Sequence, residues 1–203
     1  MKKLVSIAVL IFMLSAICTI AFAADANKLP EMLTKAYEKM SKDVSYVMEA
    51  KSKAAGQEFS SKMKAYFKDN KNYRMDSEVA GQKTRTVVCG DTAWNYMEAA
   101  NMIMTMPVPQ SPAEMKKDVT YIEGKDGDNL TFTSTDAASK FKIIITVNAK
   151  DSLISKMVTM NEKDEVISEV TYSEWKFEKI DEAMFKKPEG AQEMKMPEPP
   201  KTK

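Results

Sequence analysis

The stretch from Tyr73 to Pro107, YRMDSEVAGQKTRTVVCGDTAWNYMEAANMIMTMP, decides how this chain folds. Short alternating segments are separated by the turn sequences Ala80-Gly81-Gln82 and Gly90-Asp91, a pattern that predicts antiparallel strands joined by tight turns. A further turn precedes a strand on which methionine occupies every second position. Because side chains two apart on a strand share a face, this stretch predicts a sheet with an apolar surface.

The alternation continues on both sides of this stretch. Upstream, apolar residues from Phe59 to Phe67 alternate with serines and lysines. Downstream, three further strands are predicted at 140–147, 153–160 and 165–178. Alternation of this kind is typical of antiparallel strands with one solvated face. The sequence therefore predicts an α+β fold with a single curved antiparallel sheet, or incomplete β-barrel.

Two helical segments accompany the predicted strands. Between Leu29 and Val44, Leu33, Tyr37 and Met40 recur at spacings of four and three, which indicates an amphipathic helix. Ser111–Val119 has an N-cap serine and a glutamate in the capping-box position, so a short middle helix is expected. We expect both helices to cover the concave face of the sheet, because a single apolar stripe needs a partner surface.

The chain begins with a targeting segment and ends with a proline-rich one. Residues 1–23 have a positively charged start, a long apolar run and a small-x-small cleavage site, and so predict a secretory signal peptide cleaved after Ala23. The expected location is therefore the periplasm. Residues 24–191 suit one domain with its own core. Residues 192–203 are expected to form a flexible tail.

Charge and cysteine content limit the possible partners. Without the two lysines of the leader, the chain has 28 basic residues against 29 acidic ones, with no long basic run. Nucleic acid is therefore not an expected partner. Cys89 is the only cysteine after cleavage, so no disulfide within the chain is possible. We expect a monomer that is stabilised by packing.

The sequence contains no histidine, and this absence limits the chemistry available to the protein. It removes histidine general bases, Ser/His and Cys/His nucleophilic pairs, and the usual zinc and iron sites. With only six glycines, the chain also offers no phosphate-binding glycine-rich loop. We therefore expect a protein that is not an enzyme and needs no cofactor.

Methionine is unusually abundant, with 17 residues in the chain. Unbranched, polarizable thioethers suit a cavity that adapts to variable apolar ligands. An alternative is a site for a soft cation such as Cu(I), formed by Met102, Met104 and Met106 on one side of a strand. Ordinary core packing is the third interpretation. The scatter of methionines through the chain favours an apolar cavity together with core packing.

Several motifs in order resemble those of the periplasmic outer-membrane lipoprotein carrier (LolA/LolB-like) superfamily. The resemblance covers residues 29–191 and is strongest in the tryptophan hairpin. The motifs are Lys64-Ala-Tyr-Phe-Lys-Asp, Asn72-Tyr-Arg-Met, Val88-Cys-Gly-Asp-Thr-Ala-Trp-Asn-Tyr96, Lys140-Phe-Lys-Ile-Ile-Ile-Thr-Val and Met184-Phe-Lys-Lys-Pro-Glu-Gly190.

This resemblance implies a half-open barrel whose apolar concave face binds the acyl chains of a lipid or lipoprotein. An envelope membrane protein would be a further partner. An envelope sensor or interaction module on the same scaffold is the alternative function. The expected cavity residues, taken from the matching strands and from the alternation, are Phe67, Tyr73, Met75, Trp94, Tyr96, Met102, Met104, Met106, Ile143 and Ile145.

Overall fold

The computed structural model describes residues 29–54, 57–106, 108, 121–135 and 140–195. They form one α-helix, twelve strands and two short 3-10 turns, at Glu98–Ala100 and Glu182–Phe185. The longer elements are α1 (Glu31–Met40), β1 (Val44–Ala54), β2 (Gln57–Asp69), β3 (Asn72–Val79), β4 (Gln82–Cys89), β5 (Thr92–Met97), β6 (Met102–Met106), β7 (Tyr121–Asp126), β8 (Asn129–Thr135), β9 (Lys142–Asn148), β10 (Ile154–Met160), β11 (Val166–Phe177) and β12 (Gln192–Lys195).

The strands are hydrogen-bonded into a single sheet in the order β12-β6-β5-β4-β3-β2-β1-β11-β10-β9-β8-β7. The sheet is open, because β12 and β7 are its two end strands. Its hairpins are antiparallel, whereas β12 runs parallel to β6. The predicted α+β class with a single, mostly antiparallel open sheet is confirmed.

Helix α1 is shorter than the segment Leu29–Val44 that the sequence predicted. It nevertheless buries the apolar stripe that was expected to face the core. Leu33, Tyr37 and Met40 are all buried. Burial raises the pKa of the Tyr37 hydroxyl, and the neighbouring Tyr121 raises it further.

The predicted middle helix at 111–119 lies outside the described residues. In the part of the chain that the structure does describe, no helix is long and apolar enough to cross a membrane.

The chain divides into two compact units. The first contains the described residues among Met1–Lys39, Ala50–Phe59 and Gln110–Thr171. In this unit β8, β9, β10 and the first half of β11 pair so that one face is buried. The residues that fill this face are Phe132, Ser134, Ile145, Val147, Ile154, Met157, Ser168 and Val170.

The second unit contains Met40–Glu49, Ser60–Pro109 and Tyr172–Lys203, as far as these are described. Its strand β2 shows the predicted alternation: Ser61, Met63, Ala65 and Phe67 are buried, while the lysines between them are not. The turn after β2 is fixed by Asp69, which accepts hydrogen bonds from the backbone N–H groups of Lys71 and Asn72, both at 2.8 Å.

The C-terminal residues of the second unit fold back onto one face of its strands. Ile180 and Phe185 are buried in a cluster with Val87, Trp94 and Ile103. Beyond them, β12 forms the edge of the sheet beside β6. The tail was expected to begin at residue 192, but its first four residues form this strand. The rest of the expected tail lies outside the described residues.

Asn101 connects β12 to the turn between β5 and β6. Its backbone has a φ of 47°, and its carbonyl accepts a hydrogen bond from the N–H of Gln192 at 3.0 Å. Its side chain donates to the Gly190 carbonyl at 3.2 Å and accepts from the Tyr96 hydroxyl at 3.1 Å. These bonds place β12 in register with β6, so that Met194 lies beside Met104.

We predict that Asn101→Gly costs about 1 kcal/mol of unfolding free energy, because the two side-chain hydrogen bonds are lost. Asn101→Ala should cost about 1 kcal/mol more, since alanine is disfavoured at positive φ whereas glycine is not. Urea denaturation of both variants measures the difference. An alanine variant as stable as the glycine variant would contradict this account of the turn.

Candidate ligand-binding face

The register of β2 to β6 places many apolar residues on one side of the sheet. Directly paired residues of antiparallel strands lie on the same face, so the pairing identifies them without ambiguity. β12 adds Met194, which is paired with Met104. We call this surface the methionine face. Its apolar members are Met63, Ala65, Phe67, Tyr73, Met75, Val79, Val88, Ala93, Met97, Met102, Met104, Met106 and Met194.

Four of the polar residues on the methionine face are hydrogen-bonded in pairs, whereas the buried Ser61 hydroxyl has no hydrogen-bond partner among the described residues. The Ser77 and Thr84 hydroxyls are 2.7 Å apart. The side-chain amide of Asn95 donates to the Thr86 hydroxyl at 2.9 Å. Because these groups satisfy one another across adjacent strands, their polarity is largely neutralised within the face. The surface between the methionines therefore remains compatible with an apolar ligand.

Burial changes across the methionine face. On β2 and β3, Met63 and Met75 are only 5% and 7% exposed. On β5 and β6, Met97 and the three methionines of β6 are all partly exposed, and Met194 at the sheet edge is 51% exposed. The accessible end of the face is therefore the end formed by β5, β6 and β12.

An aromatic cluster borders the buried end of the methionine face. Phe67 stacks on Tyr73 with ring centroids 5.2 Å apart, and Tyr46 stacks on Phe67 at 5.9 Å. Trp175 lies against Tyr46 at 4.5 Å. Aromatic packing of this kind adds favourable contact beyond area burial alone.

Trp175 joins this cluster because β11 is irregular at Glu174, which has a φ of 53°. A left-handed residue inside a strand displaces the alternation, as in a β-bulge. Tyr172 and Trp175, three residues apart, consequently stack with centroids 6.3 Å apart. Tyr46, Tyr172 and Trp175 were not among the predicted site residues. No signal in the alternation marks this irregularity, so sequence reasoning missed them.

Trp94 and Tyr96 lie on the opposite side of the sheet from the methionine face. Their partners across β4 are Val87 and Arg85, which point away from that face. Trp94 is 3% exposed in the cluster covered by Ile180 and Phe185. Of the ten expected cavity residues, these two are thus separated from Phe67, Tyr73, Met75, Met102, Met104 and Met106.

The opposite side also carries a charged surface. Asp76 binds the Arg74 guanidinium at 2.5 Å and that of Arg85 at 3.1 Å. A shallow depression of about 260 Å³ lies beside these groups, lined by lysines, carboxylates and Tyr96. Paired charges of alternating sign are typical of a solvated sheet face. Because most of its lining residues are charged, this depression suits a hydrophobic ligand less well than the methionine face does.

Ile143 and Ile145, the last two expected residues, belong to the first unit. Ile145 is 3% exposed and pairs with Phe132 and Met157. Ile143 lies on the same face and is partly exposed. Ile145 is thus part of that unit's own core.

Among the described residues, no three or more His, Cys, Asp or Glu side chains lie close enough together to hold a metal ion.

Comparison with solved structures identifies proteins of similar fold. An uncharacterized conserved protein from Thermus thermophilus is 15% identical, with a TM-score of 0.61 over 82% of this chain and 98% of that one. MucB is 12% identical, with a TM-score of 0.50 over 83% of this chain and 66% of that one. At these identities the similarity concerns the fold.

The structural neighbours also include a LolA superfamily protein. This protein, from Nitrosomonas europaea, is 14% identical, with a TM-score of 0.42 over 77% of this chain and 96% of that one. No family model matches the sequence. No curated protein matches it either.

The assignment of Trp94 to a buried cluster and of Trp175 to a partly exposed one can be tested by fluorescence. The chain has only Trp94 and Trp175, so Trp175→Phe and Trp94→Phe each leave a single emitter. We predict that acrylamide quenches the partly exposed Trp175 several-fold more strongly than the buried Trp94, because collisional quenching requires access. Equal quenching of the two variants would contradict the assignment.

Proposed function

We propose that this protein binds the acyl chains of a lipid or lipoprotein on the methionine face, in a carrier- or sorting-like role. The observation that supports this most strongly is the register of β2 to β6. It collects apolar side chains from five adjacent strands on one side of the sheet. The resemblance of the sequence motifs to the lipoprotein carrier superfamily points to the same class of ligand.

The methionine face has the physical properties that acyl-chain binding requires. Burial of each methylene contributes about 0.8 kcal/mol, so affinity comes from contact area. Methionine side chains have no branched carbon and can repack against chains of different shape. The partly exposed methionines of β5 and β6 provide the point of entry, while Met63 and Met75 are already covered.

An extracytoplasmic location forms part of this proposal. The leader predicted at residues 1–23 would direct export and would then be removed. We predict that protein recovered from the periplasmic fraction of an expressing bacterium begins at Ala24. N-terminal sequencing of that fraction measures this directly. A periplasmic protein that retains Met1, or one found only in the cytoplasm, would contradict the assigned leader.

The acyl-binding proposal predicts that Met104→Glu weakens uptake of a fluorescent fatty-acid probe by at least about tenfold. A carboxylate at this position would either lose its hydration on binding or hold the chain away from the face. The measurement is a probe titration with delipidated protein.

A matched control is Thr92→Glu, which adds the same charge to the neighbouring strand β5. Thr92 is exposed and pairs with Cys89 on the opposite side of the sheet. This control should bind the probe like the parent protein. Equal weakening by both substitutions, or failure of the parent to bind any acyl probe, would remove the proposal.

An envelope sensor or interaction module is the second candidate function. Its support is the structural likeness to MucB, a protein whose structure has also been determined in complex with the MucA periplasmic segment. On this alternative the same face would receive an apolar peptide segment. The two candidates differ in one respect: an acyl carrier takes up lipid as a purified single protein, whereas an interaction module requires a second polypeptide.

A further inference from the structure

The accessible corner of the methionine face brings together thioethers from three strands. Met97 on β5 is directly paired with Met102 on β6. Met104 is the next residue of β6 on the same side, and Met194 on β12 is directly paired with it. All four side chains are partly or largely exposed. They therefore differ from Met63, Met75 and Met157, whose burial explains them as core residues.

We propose that Met97, Met102 and Met104 bind a soft monovalent cation, Cu(I), through their three thioether sulfurs. Met194 is placed to act as an additional or exchanging ligand. The proposal is independent of acyl-chain binding, although both involve the same face of the sheet.

The spacing of these residues suits a single small ion. Directly paired residues of an antiparallel sheet have Cα atoms about 5 Å apart. Alternate residues of one strand are about 7 Å apart. Met97, Met102 and Met104 thus form a compact triangle, and each sulfur lies two bonds beyond Cβ on a flexible chain. Such a triangle allows three sulfurs to converge above its centre.

The same spacing disfavours a site formed by β6 alone. Met102 and Met106 lie at the two ends of the strand, about 13 Å apart. A single ion between them would require both side chains to extend toward each other along the strand. Methionine side chains are too short to bring both sulfurs to one ion in this way. The third ligand therefore comes from the neighbouring strand, as Met97, in place of Met106.

The ligand chemistry selects the ion. Thioethers are soft, neutral donors that favour Cu(I) over Mg²⁺, Ca²⁺ or Mn²⁺, which prefer oxygen ligands. A methionine sulfur carries no proton at any accessible pH, so protons do not compete with the metal for these ligands as they do for cysteine or histidine. Affinity at this corner should therefore be almost constant between pH 5 and pH 8.

The test begins from the Cys89→Ser protein, because the exposed Cys89 thiol is itself a strong ligand for soft ions. Ag(I), a soft ion of the same charge that air does not oxidise, is titrated calorimetrically in chloride-free buffer. We expect one equivalent to bind. The triple variant Met97→Leu, Met102→Leu, Met104→Leu should bind at least tenfold more weakly at both pH 5 and pH 8.

Two controls separate this proposal from a loss of structure, and titration of the fatty-acid probe into the Cys89→Ser parent separates it from the acyl-binding proposal. Met106→Leu, on the same strand and face, should retain the affinity for Ag(I). The triple leucine variant should unfold in urea as cooperatively as the parent, because leucine conserves volume and apolarity. X-ray absorption of the Cu(I)-loaded Cys89→Ser protein should show a coordination shell containing sulfur.

Three outcomes would overturn the proposal. One is that the Cys89→Ser protein binds no Ag(I), and another is that the triple leucine variant binds it as tightly as the parent. The third is that Met106→Leu loses as much affinity as the triple variant. A parent protein that binds Ag(I) but no acyl probe would support the metal site and remove the acyl-binding proposal, whereas a parent that binds the probe but no Ag(I) would do the reverse.

Discussion

The hydrogen-bonded register from β2 to β6 is the constraint on which the second unit depends. Successive side chains of each strand lie on opposite sides of the sheet. A shift of the pairing register by one residue would therefore move every side chain of that strand to the other face. The register is held at its ends by particular contacts. Asp69 organises the turn before β3, and Asn101 fixes the turn before β6 together with the start of β12. Local hydrogen bonds thereby determine which residues a ligand can reach.

The two surfaces made by this register have different roles. One side is closed by the C-terminal residues Ile180 and Phe185, which bury Trp94 and leave a charged, solvated area beside it. The other side carries the methionine face, on which Ser77, Thr84, Thr86 and Asn95 are hydrogen-bonded in pairs. A hydrophobic ligand gains most from the second surface. The tryptophan hairpin is the most distinctive motif of the sequence. Its Trp94 thus packs on the side of the sheet opposite the face proposed to bind the ligand.

Much of the local structure was predictable because period-two alternation and turn residues act over short distances. The strands from β2 to β6, the burial of Met63, Ala65 and Phe67, and the stripe of α1 follow from such patterns. The prediction that Trp94 lies in one cavity with the methionines is not supported by the strand register. Motif order alone does not tell which side of a strand faces a cavity. Two further features depend on tertiary contacts: the left-handed backbone at Glu174, and the pairing of β12 with β6.

Acyl chains are proposed to bind on the methionine face and not on the side of the sheet that carries Trp94. Photo-crosslinking with a fatty acid bearing a diazirine in its chain, followed by peptide mass spectrometry, tests this proposal most directly. The account predicts that labelled residues cluster at Met97, Met102, Met104 and Met106. Labelling concentrated instead on Tyr96, Thr105 or the 180–191 segment would contradict it.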